Sequence, residues 1–273
     1  MDGILENSVL GDGIRVFFFD LDGCIYFGGV LADGANELLA LLRAKGVAVG
    51  FITNNSRETS AEIRRKLIGM GLAIRDEEII VTATEGVADY LAERYGASSV
   101  KVAGSASLSA AIELRGHRIL GWEDRENADL VVVGRDTGFN YVRLQQIVKE
   151  ALKGARIVGT NSDASHPGSE EELVPETGSL LASVRAIVED EIESIGKPHP
   201  YLYEIGMRAY GASPSECVMV GDNLMTDIVG AARVGMPAIW VGGAASDIYL
   251  DSIIAPVISC HKLSDLFGTI VKQ

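Results

Sequence analysis

Val16-Phe17-Phe18-Phe19-Asp20-Leu21-Asp22-Gly23 carries four large apolar residues straight into two carboxylates one residue apart, and Gly23 then ends the extended pattern. A strand buried on both faces has this composition. In an open parallel sheet, ligands bind outside the carboxyl ends of the strands, so an Asp-x-Asp delivered there points into a crevice. An acidic turn that merely stops a strand looks the same, and other stretches have to decide between the two.

The neighbouring stretches repeat the arrangement. Ile25 to Leu31, with Tyr26, Phe27 and the pair Gly28-Gly29, has the composition of a small flap or hairpin. Leu38, Leu39, Leu41 and Leu42 recur at helical spacing up to Gly46, and Val47 to Ile52 then reads as a second buried strand ending in Thr53-Asn54-Asn55-Ser56. Small hydroxyl and amide residues at such an end can offer donors to an anion, or simply cap the helix expected from Thr59 or Ser60. Further on, Ile195-Gly196-Lys197-Pro198-His199-Pro200 holds a lysine between glycine and proline, which suggests a positioned cation. Cys217 to Val220 is one more strand, and it ends in Gly221-Asp222-Asn223-Leu224-Met225-Thr226-Asp227. Between these lies a second alternating α/β series. It has strands at 100–103, 130–133 and 157–159 and helices at 108–114 and 141–152, and its last strand runs into the polar segment Thr160 to Gly168.

Asp20, Asp22, Asp222 and Asp227 are tolerable together only if a cation neutralises them, because clustered carboxylates in a crevice repel. Oxygen-only ligands favour Mg²⁺, which completes its shell with water and substrate phosphate. Composition bounds the partners. The 273 residues are 47% hydrophobic and 23% charged, with a net charge of -14, and the pI is near 4.7. That is a globular chain whose surface repels nucleic acid and anionic membranes. Cys24, Cys217 and Cys260 match neither a disulfide framework nor a zinc site, and no apolar run suits a signal peptide or a membrane span, so a cytoplasmic location is expected.

The ordered set Asp-x-Asp-Gly, Thr-Asn-Asn-Ser, Gly-Lys-Pro and Gly-Asp-Asn-x-x-Thr-Asp resembles the four motifs of the haloacid dehalogenase-like hydrolases. More narrowly, it is similar to the branch of nitrophenyl phosphatases and phosphoglycolate phosphatases that carries a large α/β cap between the second and third motifs. The resemblance implies an α/β fold with a Rossmann-like parallel-sheet core at 1–83 and 192–273 and an inserted cap at 84–191. It implies that Asp20 is the nucleophile forming an aspartyl phosphate and that Asp22 serves as acid and then base. Thr53, the backbone after it at Asn54, and Lys197 would hold the phosphoryl group. Asp20, the Asp22 carbonyl and Asp222 would bind Mg²⁺, with Asn223 and Asp227 orienting the groups around the metal. The implied substrate is a small phosphorylated metabolite: phosphoglycolate, glycerol phosphate, a sugar phosphate or a nucleoside monophosphate, with p-nitrophenyl phosphate as an artificial one. A non-catalytic phosphometabolite-binding protein is the alternative, and the intact Asp20 and Asp22 argue against it. A homodimer through the cap is also implied, although no apolar stripe demands one.

Two positions depart from the family pattern. Cys24 stands where threonine or valine is usual, and Glu176 where glycine is common. Because the four motifs handle only the phosphoryl group, the leaving group has to be read elsewhere, and the loop Asn161 to Pro167 is the expected reader, through Asn161, Asp163 and His166.

Overall fold

A computed structural model describes residues 13–167, 173–242 and 257–271. In chain order it begins with β1 (Val16–Phe19), the hairpin β2 (Tyr26–Phe27) and β3 (Val30–Leu31), α1 (Ala35–Ala44), β4 (Ala48–Thr53), α2 (Ser60–Gly69), β5 (Ile80–Thr82) and α3 (Ala83–Tyr95). It continues through β6 (Ser99–Ala103), α4 (Ala106–Leu114), β7 (Arg118–Ile119), β8 (Leu130–Val133), α5 (Tyr141–Leu152) and β9 (Arg156–Gly159). The hairpin β10 (Ser165–Pro167) and β11 (Leu173–Pro175), α6 (Thr177–Arg185) and β12 (Glu193–Ser194) follow. The chain closes with α7 (Tyr201–Tyr210), β13 (Cys217–Gly221), α8 (Val229–Arg233), β14 (Ala238–Val241), β15 (Val257–Cys260) and α9 (Leu266–Val271).

By its contacts the chain divides into two compact units, the first Met1–Thr53, Arg64–Val81 and Tyr203–Gln273, the second Asn54–Ile63 and Thr82–Leu202. The first is built on a six-stranded sheet in the order β15-β14-β13-β1-β4-β5. β1 lies in its interior, parallel to β13 on one side and β4 on the other. All four residues of β1 are buried, which is why the strand reads as an unbroken apolar run with no alternation. Phe18 packs edge-on against Tyr210 at 5.7 Å between ring centroids, and Phe19 lies 6.4 Å from Phe51. The strand order reverses between β1 and β13. A crevice is expected at the carboxyl end of that pair of strands, and Asp20 and Asp222 follow the two strands there.

The second unit has its own parallel sheet, β12-β9-β8-β6-β7. Its core gathers Val131, Val133, Ile147, Ile157, Leu181 and Val184. Sequence division placed 54–63, 82–83 and 192–202 with the core, whereas their contacts group them with this unit. The physical reason is backbone pairing: β12 runs parallel to β9, and the amides of Ile195 and Gly196 continue that ladder onto Gly159 and Thr160 at 3.1 and 2.8 Å.

The short pieces β5, β7, β10, β11 and β12 escape the periodicity argument, being only two or three residues long. The segment read as an irregular polar loop from Thr160 is a loop only to Ala164, because Ser165–Pro167 pairs antiparallel with Leu173–Pro175. Gly168, at its end, lies outside the described residues.

Candidate active site

Asp20 follows β1 directly, is 7% exposed, and donates its amide to Val220 O at 2.8 Å. That bond carries the β1–β13 ladder one residue past the strand, so the acids at the two strand ends become neighbours. Carboxylate atoms of Asp20, Asp222 and Asp227 all lie within 4.8 Å of one another. Each ionised pair at that spacing repels by at least about 3 kcal/mol at an effective dielectric of about 20, so the trio is suited to holding a cation. Its donor chemistry, three carboxylate oxygens, fits a hard divalent ion.

The trio is built by a single π turn at Leu224–Ile228. Asn223 caps that turn, its Oδ1 accepting from the amides of Met225 and Thr226 at 2.9 and 3.3 Å. Its own amide donates to Asp227 Oδ2 at 3.1 Å. The Tyr203 hydroxyl donates to the carbonyls of Thr226 and Asp227 from below, and Trp240 Nε1 donates to Asp222 O at 2.8 Å. A glycine is required at position 23, where φ is +89° and a Cβ would collide with the Asp222 carboxylate.

Of the expected metal set of Asp20, the Asp22 carbonyl and Asp222, the two carboxylates are brought together, and Asp227, expected only to orient groups around the metal, stands with them. The Asp22 side chain is exposed and its Oδ2 accepts the Tyr26 hydroxyl at 2.5 Å. A strand end throws residues i and i+2 the same way only while the strand continues, and here the turn at Gly23 intervenes. Cys24 is buried with its Sγ 3.7 Å from Val220 O, as a small packing residue would be.

Thr53 is the last residue of β4 and is 2% exposed. In the second unit, Asn54 and Lys197 are joined by a two-way bond: Lys197 N donates to Asn54 Oδ1 at 2.7 Å, and Asn54 Nδ2 donates to Lys197 O at 3.0 Å. Asn54 Nδ2 also donates to Asp163 Oδ2 at 2.7 Å, and Asn161 Nδ2 donates to Asn54 O at 2.7 Å. Asn54 was expected to offer its backbone to phosphate, and its side-chain amide is committed to Lys197 and Asp163. It therefore orients the Lys197 turn, and any donor it offers an anion is its backbone. Gly196 makes the approach possible, since a Cβ there would meet Asn161, Asn54 and Thr160 at 2.7 Å.

Asn161 and Asp163 are thus brought together around Asn54, whereas His166 is placed elsewhere. His166 lies in β10 with Nδ1 2.8 Å from Glu176 Oε1, and Arg135 reaches the same oxygen at 3.3 Å. Burial pushes the Glu176 carboxyl above the usual carboxylate range against the pull of Arg135 and then His166. Glu176 also caps α6 through the Thr177 amide at 3.3 Å. The departure from glycine at position 176 was the one sequence signal for this cluster, and nothing in the chain order pointed to Arg135.

Family comparisons agree with this architecture. Residues 17–118 match the model described as haloacid dehalogenase-like hydrolase, and residues 194–266 match a second one described as HAD-hydrolase-like. An acid sugar phosphatase of Staphylococcus aureus is 32% identical over 260 residues, covering 94% of this chain and 98% of its own. A 5'-nucleotidase of Bacillus subtilis is 34% identical over 225 residues, covering 82% and 86%. The crystal structure of a 4-nitrophenylphosphatase from Thermotoga maritima superposes with a TM-score of 0.84 at 29% identity, covering 95% and 98%. Carboxylates at the switch point of a parallel sheet, with likeness running almost the full length of these proteins, lead to one assignment: the chain belongs to the haloacid dehalogenase-like hydrolases.

Proposed function

We propose that this protein is a Mg²⁺-dependent phosphomonoesterase of small phosphorylated metabolites, working through an aspartyl phosphate on Asp20. The observation that carries the reading is the trio Asp20, Asp222 and Asp227 at the ends of β1 and β13. Mg²⁺ held there would neutralise the carboxylates and the phosphoryl oxygens. Asp20 keeps an ionised oxygen for attack on phosphorus. Asp22 gives a proton to the leaving oxygen and takes one from water in the second half of the reaction. Thr53 and Lys197 hold phosphoryl oxygens, with Asn54 fixing the lysine's backbone.

The relatives' names, an acid sugar phosphatase, a 5'-nucleotidase and a 4-nitrophenylphosphatase, support a phosphate monoester with a variable leaving group. Residues 84–191 then act as the specificity cap, with Asn161 and Asp163 nearest the phosphate-binding Asn54. No helix among the described residues is long and apolar enough to cross a membrane, and with the acidic surface this supports a cytoplasmic enzyme.

The test is a panel of sugar phosphates, nucleoside monophosphates, phosphoglycolate, glycerol phosphate and p-nitrophenyl phosphate, assayed with and without Mg²⁺. Turnover that stops on chelation and returns with Mg²⁺ is expected. Absence of hydrolysis across the panel in folded, Mg²⁺-loaded protein would overturn the reading.

A further inference from the structure

We propose that Tyr26 is a positioning residue for Asp22 and that Lys66 acts on Asp22 through Tyr26. The proposal rests on the reading of Asp22 as the proton donor to the leaving oxygen. Asp22 is exposed on the turn after β1, where an unheld aspartate would exchange among staggered rotamers. Its Oδ2 instead accepts from the Tyr26 hydroxyl at 2.5 Å. Tyr26 is 1% exposed, so the ring that carries this hydroxyl is fixed by packing. The backbone fixes the distance between the two residues. Gly23 N donates to Tyr26 O at 2.9 Å, Tyr26 N to Leu21 O at 3.1 Å, and Asp22 and Tyr26 form an isolated bridge. An exposed carboxyl is thereby tied to a buried anchor four residues away on the same turn.

Lys66, on α2, completes the arrangement. Its Nζ donates to the Tyr26 hydroxyl oxygen at 3.0 Å and lies 4.6 Å from the ring centroid. A phenol that accepts from an ammonium is a stronger donor to its next partner. With the phenol filling Oδ2, the proton destined for the substrate is carried on Oδ1. In the transfer step an Asp20 oxygen bonds to phosphorus and the bond from phosphorus to the leaving oxygen breaks, its electron pair going to that oxygen. The Oδ1 proton passes to the same oxygen, and Asp22 is left as a carboxylate that Tyr26 still holds. General acids gain their effect from placement as much as from acidity, so loosening this tether costs rate where the leaving group needs the proton.

The experiment compares kcat/KM, which reports the transfer to Asp20, on p-nitrophenyl phosphate and on the best alkyl phosphate of the panel. Tyr26→Phe keeps the packed ring and removes the hydroxyl that donates to Asp22 and accepts from Lys66. It is expected to lower the alkyl value about tenfold and the aryl value by less than about threefold. Lys66→Met should move the same ratio in the same direction by about threefold. In an Asp22→Asn background, Tyr26→Phe should cost the alkyl substrate nothing further, because its effect runs through Asp22. Equal losses on both substrates, no loss on either, or losses that multiply in the double variant would show that Tyr26 only packs, and would overturn the proposal. Asp22→Asn by itself separates the two levels. If its own losses are the same on both substrates, the acid role of Asp22 fails and the tether with it. If Asp22→Asn discriminates between leaving groups and Tyr26→Phe does not, the tether alone fails.

Discussion

In the first unit, β1 and β13 end in Asp20 and Asp222 and, with Asp227, put three groups of one sign within 4.8 Å. In the second, β9 runs on to Asn161 and Asp163, which bond to Asn54, and Asn54 bonds in turn to the Lys197 backbone, through donors and acceptors at 2.7–3.0 Å. Both ends belong to parallel α/β sheets, yet the first gathers charges of one sign while the second joins donors to acceptors. Like charges repel one another, so the first arrangement is suited to a cation. Amides and carbonyls satisfy one another, so the second is a preformed frame. Changes in the first should therefore fall on activity and spare the apo fold, while changes in the second should fall on both.

The sharpest way to break this contrast is Asp20→Asn. It should reduce hydrolysis of p-nitrophenyl phosphate by at least about a thousandfold while the far-ultraviolet circular dichroism stays that of the parent. Substantial activity in the folded variant would remove Asp20 from the nucleophile's place. Next, Asp222→Ala should raise the Mg²⁺ concentration for half-activity about a hundredfold, and Asp227→Asn about tenfold. Without metal both should unfold no earlier than the parent, because each removes like-charge repulsion from the trio. A clear fall in apo Tm would mean that the trio stabilises the fold.

For the second unit, Asn54→Ala removes both side-chain bonds to the Lys197 main chain and the one to Asp163. A loss of about 2–3 kcal/mol in chemical denaturation is expected, together with a raised KM on every substrate. Unchanged stability would show that the frame is held elsewhere. Asp163→Ala should be milder, and its effect should fall more on the best natural substrate than on p-nitrophenyl phosphate, whereas His166→Ala, paired with Glu176 away from Asn54, should treat the two alike. The smallest effect concerns the thiols. Burial pushes Cys217 and Cys260 up to about 11, so both stay protonated at neutral pH, and iodoacetamide at pH 7.5 should leave activity intact.

Much of this was legible before any coordinates, and where legibility failed the cause is physical. Long elements announced themselves: α1, read from leucines at helical spacing up to Gly46, spans Ala35–Ala44, and β8 spans 130–133 as read. Pieces of two or three residues carry too few positions for a period, so β7 and β12 went unread. At the site, residue types named the chemistry, but which carboxylates meet depends on turn geometry. The π turn after β13 carries Asp227 inward, and the Gly23 turn sends Asp22 to Tyr26. Sequence leaves open what the side chain of an Asn at such a strand end does. Only the bonds of Asn54 reveal a side chain already spent on the lysine turn.

The register of β1 also bears on how the chain is made. Val16 to Phe19 pair on one side with β4, which leaves the ribosome soon afterwards, but on the other with Cys217 to Val220, roughly two hundred residues downstream and some 10–40 seconds later at ordinary synthesis rates. Throughout that interval one edge of a Phe-rich strand lacks its native neighbour while the whole second unit emerges. Synthesis therefore passes through a prolonged state in which the strand that ends in Asp20 is open to pairing with other nascent chains, and cellular yield depends on what shields that edge until β13 arrives.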